Sequence, residues 1–231
     1  MSLLSISNLS KSFTIHSVGR VIPACHDVDL DIEHGEFVGI TGRSGSGKST
    51  ILRCIYRTNL PQEGSIMYDS AAYGPLDLTT ASERRIVHLR RYEIGYVSQF
   101  LSALPRTTAF DIVRLSALEV FRDPDEAAER TEHMLTHFDL ARELWDVYPN
   151  TFSGGEKLRL NIAAAMVKVP RLLLLDEPTA SLDNASKVKV REMIERLKDS
   201  GTTMLGIFHD LEFMEGLCDH EYSMQSGGFV R

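Results

Sequence analysis

The sequence predicts an α/β fold with a run of helices set into it, and three observations carry that prediction. A compact apolar run, Phe37-Val38-Gly39-Ile40, leads straight into a glycine-rich loop and then into a helical pattern. From about residue 100 to residue 167 the periodicity is helical. Apolar strand-like runs then return at residues 172–175 and 203–208. Strand, glycine loop and helix in that order form a phosphate-binding arrangement.

The first forty or so residues read as short strands. Residues 5–9 alternate, and residues 28–32 place Val28, Leu30 and Ile32 on one strand face. Gly35 marks a turn, and residues 37–40 have the continuous apolar character of a buried strand. Residues 51–56 follow the glycine loop with a helical pattern. In the middle, helices are expected over 109–118 and 125–138. Asp123-Pro124 opens the second of these with a cap and a proline at the first helical position. A third helix is expected over 155–167. An amphipathic helix over 185–198, closed by Gly201, separates the last two apolar runs. With no internal repeat or linker, the 231 residues read as a single domain: an α/β core over about 1–99 and 168–231, and a helical part over about 100–167.

A net charge of −7 with both signs interspersed does not imply a nucleic-acid surface. Apolar stretches such as residues 172–175 are far too short to span a bilayer. The opening MSLLSISNLSKSF lacks a basic segment followed by an apolar run, so it does not read as a signal peptide. Cys25, Cys54 and Cys218 are scattered and odd in number, which suits a reducing compartment. The cytoplasm is the expected location.

Gly42-Arg43-Ser44-Gly45-Ser46-Gly47-Lys48-Ser49 fits G-x-x-x-x-G-K-[ST], the Walker A phosphate loop. Its glycines let the backbone wrap closely around a phosphate chain. Successive N–H groups, on to Thr50 at the helix start, then point at the anion. Lys48 is expected to bridge the β- and γ-phosphates and the Ser49 hydroxyl to coordinate Mg²⁺. Arg171-Leu172-Leu173-Leu174-Leu175-Asp176-Glu177 supplies a buried strand ending in Asp176, a partner for the same Mg²⁺. Glu177 follows as the base or water-orienting group. These two elements alone define a nucleotidase with a phosphate loop.

Thr151-Phe152-Ser153-Gly154-Gly155-Glu156-Lys157 narrows the class. Ser153 and the Gly154 and Gly155 amides open a helix, which makes a second anion site. One chain already has a phosphate loop, so a second site makes sense if it closes over ATP held by another subunit. In these motifs the chain resembles the ATP-binding-cassette ATPases, whose signature is L-S-G-G-Q. The resemblance implies a mixed-sheet core, an antiparallel β subdomain at the amino terminus, a helical insertion, and the cofactors ATP and Mg²⁺. It also implies roles position by position. Gln99 is similar to the glutamine that touches Mg²⁺ and the attacking water. The Ser181-Leu182-Asp183 segment resembles the one that crosses the dimer interface. His209 resembles the switch histidine that contacts the γ-phosphate, and Phe13 sits where an aromatic stacks on adenine, although a core phenylalanine fits there too. The chain departs from the pattern at Phe152 and Glu156, and at Ala164 and Ala165, where the helix often carries an arginine. Neither departure removes a catalytic group.

Longer stretches resemble the L subunits of bacterial carbon–phosphorus lyase systems: Tyr96-Val97-Ser98-Gln99-Phe100-Leu101 with Leu104-Pro105-Arg106, Leu144-Trp145 leading to Pro149, residues 176–183, and Gly206-Ile207-Phe208-His209-Asp210. That resemblance implies a cassette paired with itself or a related cassette, alongside other phosphonate-processing proteins. Such a chain supports formation of a ribose methylphosphonate triphosphate from ATP and phosphonate, with release of adenine. Two alternatives stand beside it. One is the nucleotide-binding subunit of an import, export or lipoprotein-release transporter, with a permease docked near Gln99 and the helices. The other is a scaffold subunit with little turnover, against which intact Lys48, Asp176, Glu177 and His209 argue. The absence of an Asn-Lys-x-Asp guanine reader disfavours a GTPase. His133 and His137 have metal-like spacing on a helix but no third ligand nearby. The basic stretch from Arg84-Arg85 to Arg90-Arg91 reads as a solvated helix face or as a docking surface for an acidic partner.

Overall fold

The computed structural model describes residues 2–230 except 16, 18, 100, 102–104 and 181. The chain opens with a long hairpin, β1 (Ser2–Ile15) and β2 (Arg20–Glu33). Strand β3 (Phe37–Gly42) runs through the glycine loop into α1 (Lys48–Ile55), and β4 (Glu63–Ser70), β5 (Gly74–Asp77), α2 (Glu83–Tyr92) and β6 (Ile94–Val97) follow. Three longer helices come next: α3 (Ala109–Leu118), α4 (Pro124–His137) and α5 (Gly154–Met166). The chain then passes through β7 (Leu172–Asp176), α6 (Asn184–Asp199), β8 (Thr203–Ile207), α7 (Leu211–Met214), β9 (His220–Gln225) and β10 (Gly228–Val230).

Two sheets result. Strands β2, β1, β4 and β5 form an antiparallel sheet in that order. The second sheet is mixed, in the order β10-β9-β3-β8-β7-β6, and only the β9–β10 pair is antiparallel. The expected α/β class, with a mixed sheet, an antiparallel amino-terminal sheet and inserted helices, is therefore the observed one.

Strand β7 explains how the layers join. It is wholly buried, and its leucines divide by parity. Leu172 and Leu174 pack with β1, β2, β4 and α1, whereas Leu173 and Leu175 pack with α3, α4, α5 and α6. A strand covered on both faces reads as an unbroken apolar run, which is why Leu172-Leu173-Leu174-Leu175 shows no alternation. Trp145, Phe138 and Phe152 anchor the helical cluster.

Local signals set the helix boundaries. Asp123 caps α4 through the Asp125 N–H at 2.9 Å, and Pro124 takes the first position. Thr108 caps α3. At α5, Ser153 and Glu156 form a reciprocal capping box: the Glu156 carboxylate accepts from the Ser153 N–H at 2.7 Å, and the Ser153 hydroxyl accepts from the Glu156 N–H at 3.3 Å. Among the described residues, no helix is long and apolar enough to cross a membrane.

Candidate nucleotide site

Strands β3, β8 and β7 are adjacent and parallel, so their carboxyl ends lie side by side. β3 delivers the glycine loop, β8 delivers His209 and β7 delivers Asp176 and Glu177. Ligand sites of open α/β sheets lie outside these strand ends.

Backbone geometry dictates the loop composition. Gly42 has φ +138° and Gly47 φ +105°. A Cβ on Gly47 would lie 1.9 Å from the Ala24 carbonyl oxygen, and one on Gly42 would lie 2.3 Å from that of Met224. The loop is thus clamped between the β1–β2 hairpin and β9, and α1 begins at Lys48 directly behind it. Lys48 is buried, and its ammonium donates to the carbonyls of Gly42 at 2.7 Å and Arg43 at 3.0 Å. Burial lowers its pKa, against the opposing pull of the Glu177 and Asp176 carboxylates.

The Ser49 hydroxyl donates to Asp176 Oδ1 at 2.8 Å, which joins the loop helix to the strand that carries the second motif. Glu177 has φ +52°, and its Oε1 lies 2.7 Å from His209 Nε2. A non-glycine residue held in that region costs about 1–3 kcal/mol and is a recurrent mark of functional sites. An open cleft of about 530 Å³ lined by Glu177, Thr179, Ala180, Lys187, His209, Asp210 and Leu211 extends from this pair.

The loop fits a magnesium–triphosphate. Glycines sit where a Cβ would collide, Ser46 Oγ is buried without a hydrogen-bond partner among the described residues, and a buried cation donates to two loop carbonyls. Ser49 and Asp176 offer adjacent hard oxygen donors of the kind Mg²⁺ takes.

The remaining expected residues fall elsewhere. Phe13 lies on the outer part of the hairpin, 40% exposed, with the Lys11 ammonium 5.2 Å above its ring. Such an accessible ring suits stacking better than core packing. Gln99 lines a different cleft, together with Gly154, Lys157, Asn161 and Pro178. Asp183 caps α6 through the Ser186 N–H at 2.7 Å, and that bond holds its carboxyl below the usual carboxylate range. Ser181, Phe100 and Leu104 lie outside the described residues. Among the described residues, no hydrogen bond or ion pair ties the Ser153 turn to residues 42–50. Gly155 instead approaches Ser186, with its would-be Cβ 2.9 Å from that hydroxyl.

Motifs alone miss two connections. Asn161 Nδ2 donates to the Ser98 carbonyl at 2.9 Å, so α5 is tied to the residue beside Gln99. The Lys187 ammonium lies 2.5 Å from Asp210 Oδ2 and links α6 to the residue after His209. The spacing of Asn161 on α5 gives no hint of the first, because its partner is a backbone atom 63 residues away. His133 and His137 stack at 6.1 Å, and no group of three metal-ligating side chains occurs among the described residues.

These motifs, on this sheet order, define an ATP-binding cassette. The family model described as ABC transporter matches residues 25–180, more than half the sequence, and the chain belongs to that family. The methionine import ATP-binding protein MetN of Escherichia coli (strain K12) is 36% identical over 233 residues, which cover 99% of this chain and 64% of that protein. The protein of the same name from Histophilus somni (strain 129Pt) is 31% identical over 229 residues, with the same coverage. The chain thus spans 64% of the length of these relatives. Among solved structures, the dimeric post-hydrolysis state of the ATP-binding cassette MJ0796 bound to ADP and Pi superposes with a TM-score of 0.89 at 28% identity, covering 99% of this chain and 97% of that one. The cbiO1 protein of Clostridium perfringens, part of the ABC transporter complex cbiONQ, gives 0.84 at 27% identity, covering 100% and 87%. Family cassettes form dimers, and ATP with Mg²⁺ is the ligand of their nucleotide site. The expectation of a phosphonate pathway gains no support from these relatives, whose names are those of transporter proteins.

Proposed function

We propose that this chain is an ATP-hydrolysing cassette whose site is completed by a second cassette. One observation carries the proposal: the chain bears two helix starts opened by glycine and serine amides, at Lys48 and at Gly154, and no bond among the described residues joins them. In this reading Gly42, Ser44, Gly45, Ser46, Gly47, Lys48, Ser49 and Thr50 cradle the phosphates, and Phe13 takes the adenine. Mg²⁺ would supply charge neutralisation to the phosphate oxygens when held by Ser49 and Asp176, and Gln99, from the cleft it lines, would be the further group expected to join it. Lys48 exchanges its two carbonyl partners for phosphate oxygens. Glu177 orients the attacking water and receives its proton, and His209, already bonded to Glu177, fixes that carboxylate and reaches the γ-phosphate. Ser153, Gly154, Gly155 and Glu156 of the second cassette close the opposite side, with Asp183 at the seam. The Glu156 carboxylate accepts from the Ser153 N–H and so fixes the turn through the capping box, a task the usual glutamine amide oxygen also performs.

Mixing two defective variants tests the composite site. Lys48→Ala destroys the phosphate loop and Ser153→Arg the signature, and each alone should lose at least about a hundredfold in hydrolysis. A mixed dimer retains one intact site, so combining the two variants should restore turnover. If the unsubstituted chain is active and the mixture stays silent, the shared site is wrong.

Two readings of the output rest on different observations. The names of the relatives support a membrane transporter, with a permease receiving the movement. The stretches around Gln99, Trp145 and residues 151–156 support a phosphonate-processing assembly instead, in which the cassette assists formation of the ribose methylphosphonate triphosphate.

A further inference from the structure

No motif assigns a role to Tyr96. It lies on β6, the edge strand next to β7, where it pairs with Leu174. From there its hydroxyl reaches past the end of the neighbouring strand and donates to Asp176 Oδ2 at 2.6 Å. The other carboxylate oxygen, Oδ1, accepts from Ser49 at 2.8 Å. Each oxygen of this buried carboxylate is therefore held by a hydroxyl from a different element. The phenol is itself held in place: the Tyr56 ring lies 4.9 Å away at 43°, the Arg90 guanidinium covers Tyr56 at 4.7 Å, and Arg90 Nε donates to the Tyr56 carbonyl at 2.8 Å.

We propose that Tyr96 is a positioning residue for the magnesium site, fixing the rotation of the Asp176 carboxylate so that Oδ1 always faces Ser49. The inference rests on the reading of Ser49 and Asp176 as the metal-binding pair. A hydroxyl would bind Mg²⁺ through an oxygen lone pair and keep its hydrogen on Asp176 Oδ1, so the Ser49–Asp176 pair is only as well placed as that carboxylate. The torsion that turns an aspartate carboxylate is broad. Ser49 fixes one oxygen only; the Tyr96 bond fixes the other and so sets the rotation of the group. Loss of an outer partner of this kind weakens metal binding by about 10–100-fold.

The test is the Mg²⁺ requirement of nucleotide binding, measured with trinitrophenyl-ATP fluorescence in a Glu177→Gln background. Tyr96→Phe keeps the ring and its packing and removes only the hydroxyl. Expected is a rise of about tenfold in the Mg²⁺ concentration giving half-maximal enhancement, with nucleotide affinity in EDTA unchanged. Tyr56→Phe, which leaves both bonds to Asp176 in place, should alter neither. A Tyr96→Phe protein with the unsubstituted Mg²⁺ dependence, or one weakened equally in EDTA, overturns the inference. If Mg²⁺ has no effect even with Tyr96 present, the metal-pair reading itself fails, which distinguishes the two.

Discussion

Gly45 and Gly47 stand two residues apart in the same loop, both with left-handed backbone, yet their surroundings differ. A Cβ on Gly45 meets nothing within 4 Å, while one on Gly47 meets the Ala24 carbonyl at 1.9 Å. Gly45→Ala should cost about 1 kcal/mol from the dihedral alone. Gly47→Ala should cost at least ~2 kcal/mol more, because backbone must move. Urea unfolding of the two variants checks this, and equal losses would mean that the hairpin yields freely. The motif identified both glycines but could not rank them. Their difference is created by β2, more than twenty residues earlier in the chain. The same holds for Tyr96: its sequence neighbourhood is that of an ordinary strand, and its partner is fixed by sheet order.

At the scale of elements, periodicity and caps found what had a period or a cap. The helix expected over 109–118 is α3 to the residue, and Asp123-Pro124 correctly opened α4. Strands β5, β6 and β10, three or four residues long, carry too few positions to show a period, and β4 and β9 escaped because most of their residues are polar. The hairpin outruns its alternation for another reason. Phe13–Ile22 and Ile15–Arg20 pair by backbone hydrogen bonds, although their side chains face solvent.

The bond between α6 and the segment after β8 also went unread, and it bears on pH. Lys187, and then the Phe213 N–H, hold the Asp210 carboxyl below the usual carboxylate range. A depressed folded pKa contributes stability above the ordinary carboxylate value of about 3.9 and loses it as pH falls through the folded value. Asp210→Asn should therefore flatten the acid limb of a Tm–pH profile below about pH 4, while lowering Tm near neutrality. An acid limb as steep as that of the parent would show that the pair does not form in solution.

For the whole molecule, the sequence motifs gave the class and the arrangement of layers, since three parallel strand ends must meet at one edge. What they could not give is the body on which the cassette acts. Recipient surfaces are set by shape rather than by motif, and the curated relatives extend beyond the matched length. Capture of the tagged chain from native cells with MgATP, paired with deletion of its gene, separates the two outputs. Under the transporter reading a permease co-purifies and growth on alkylphosphonate as sole phosphorus source is normal. Under the phosphonate reading soluble enzymes co-purify, growth fails, and inorganic phosphate rescues it.

The lysine that grips its own loop has one more implication. Because Lys48 donates to the Gly42 and Arg43 carbonyls, the loop is braced by its own lysine, like an arch with its centring left in place. On the proposed reading, an arriving triphosphate would swap one set of oxygens for another around this cation. On that reading, departure of the product would reverse the swap without rebuilding the loop.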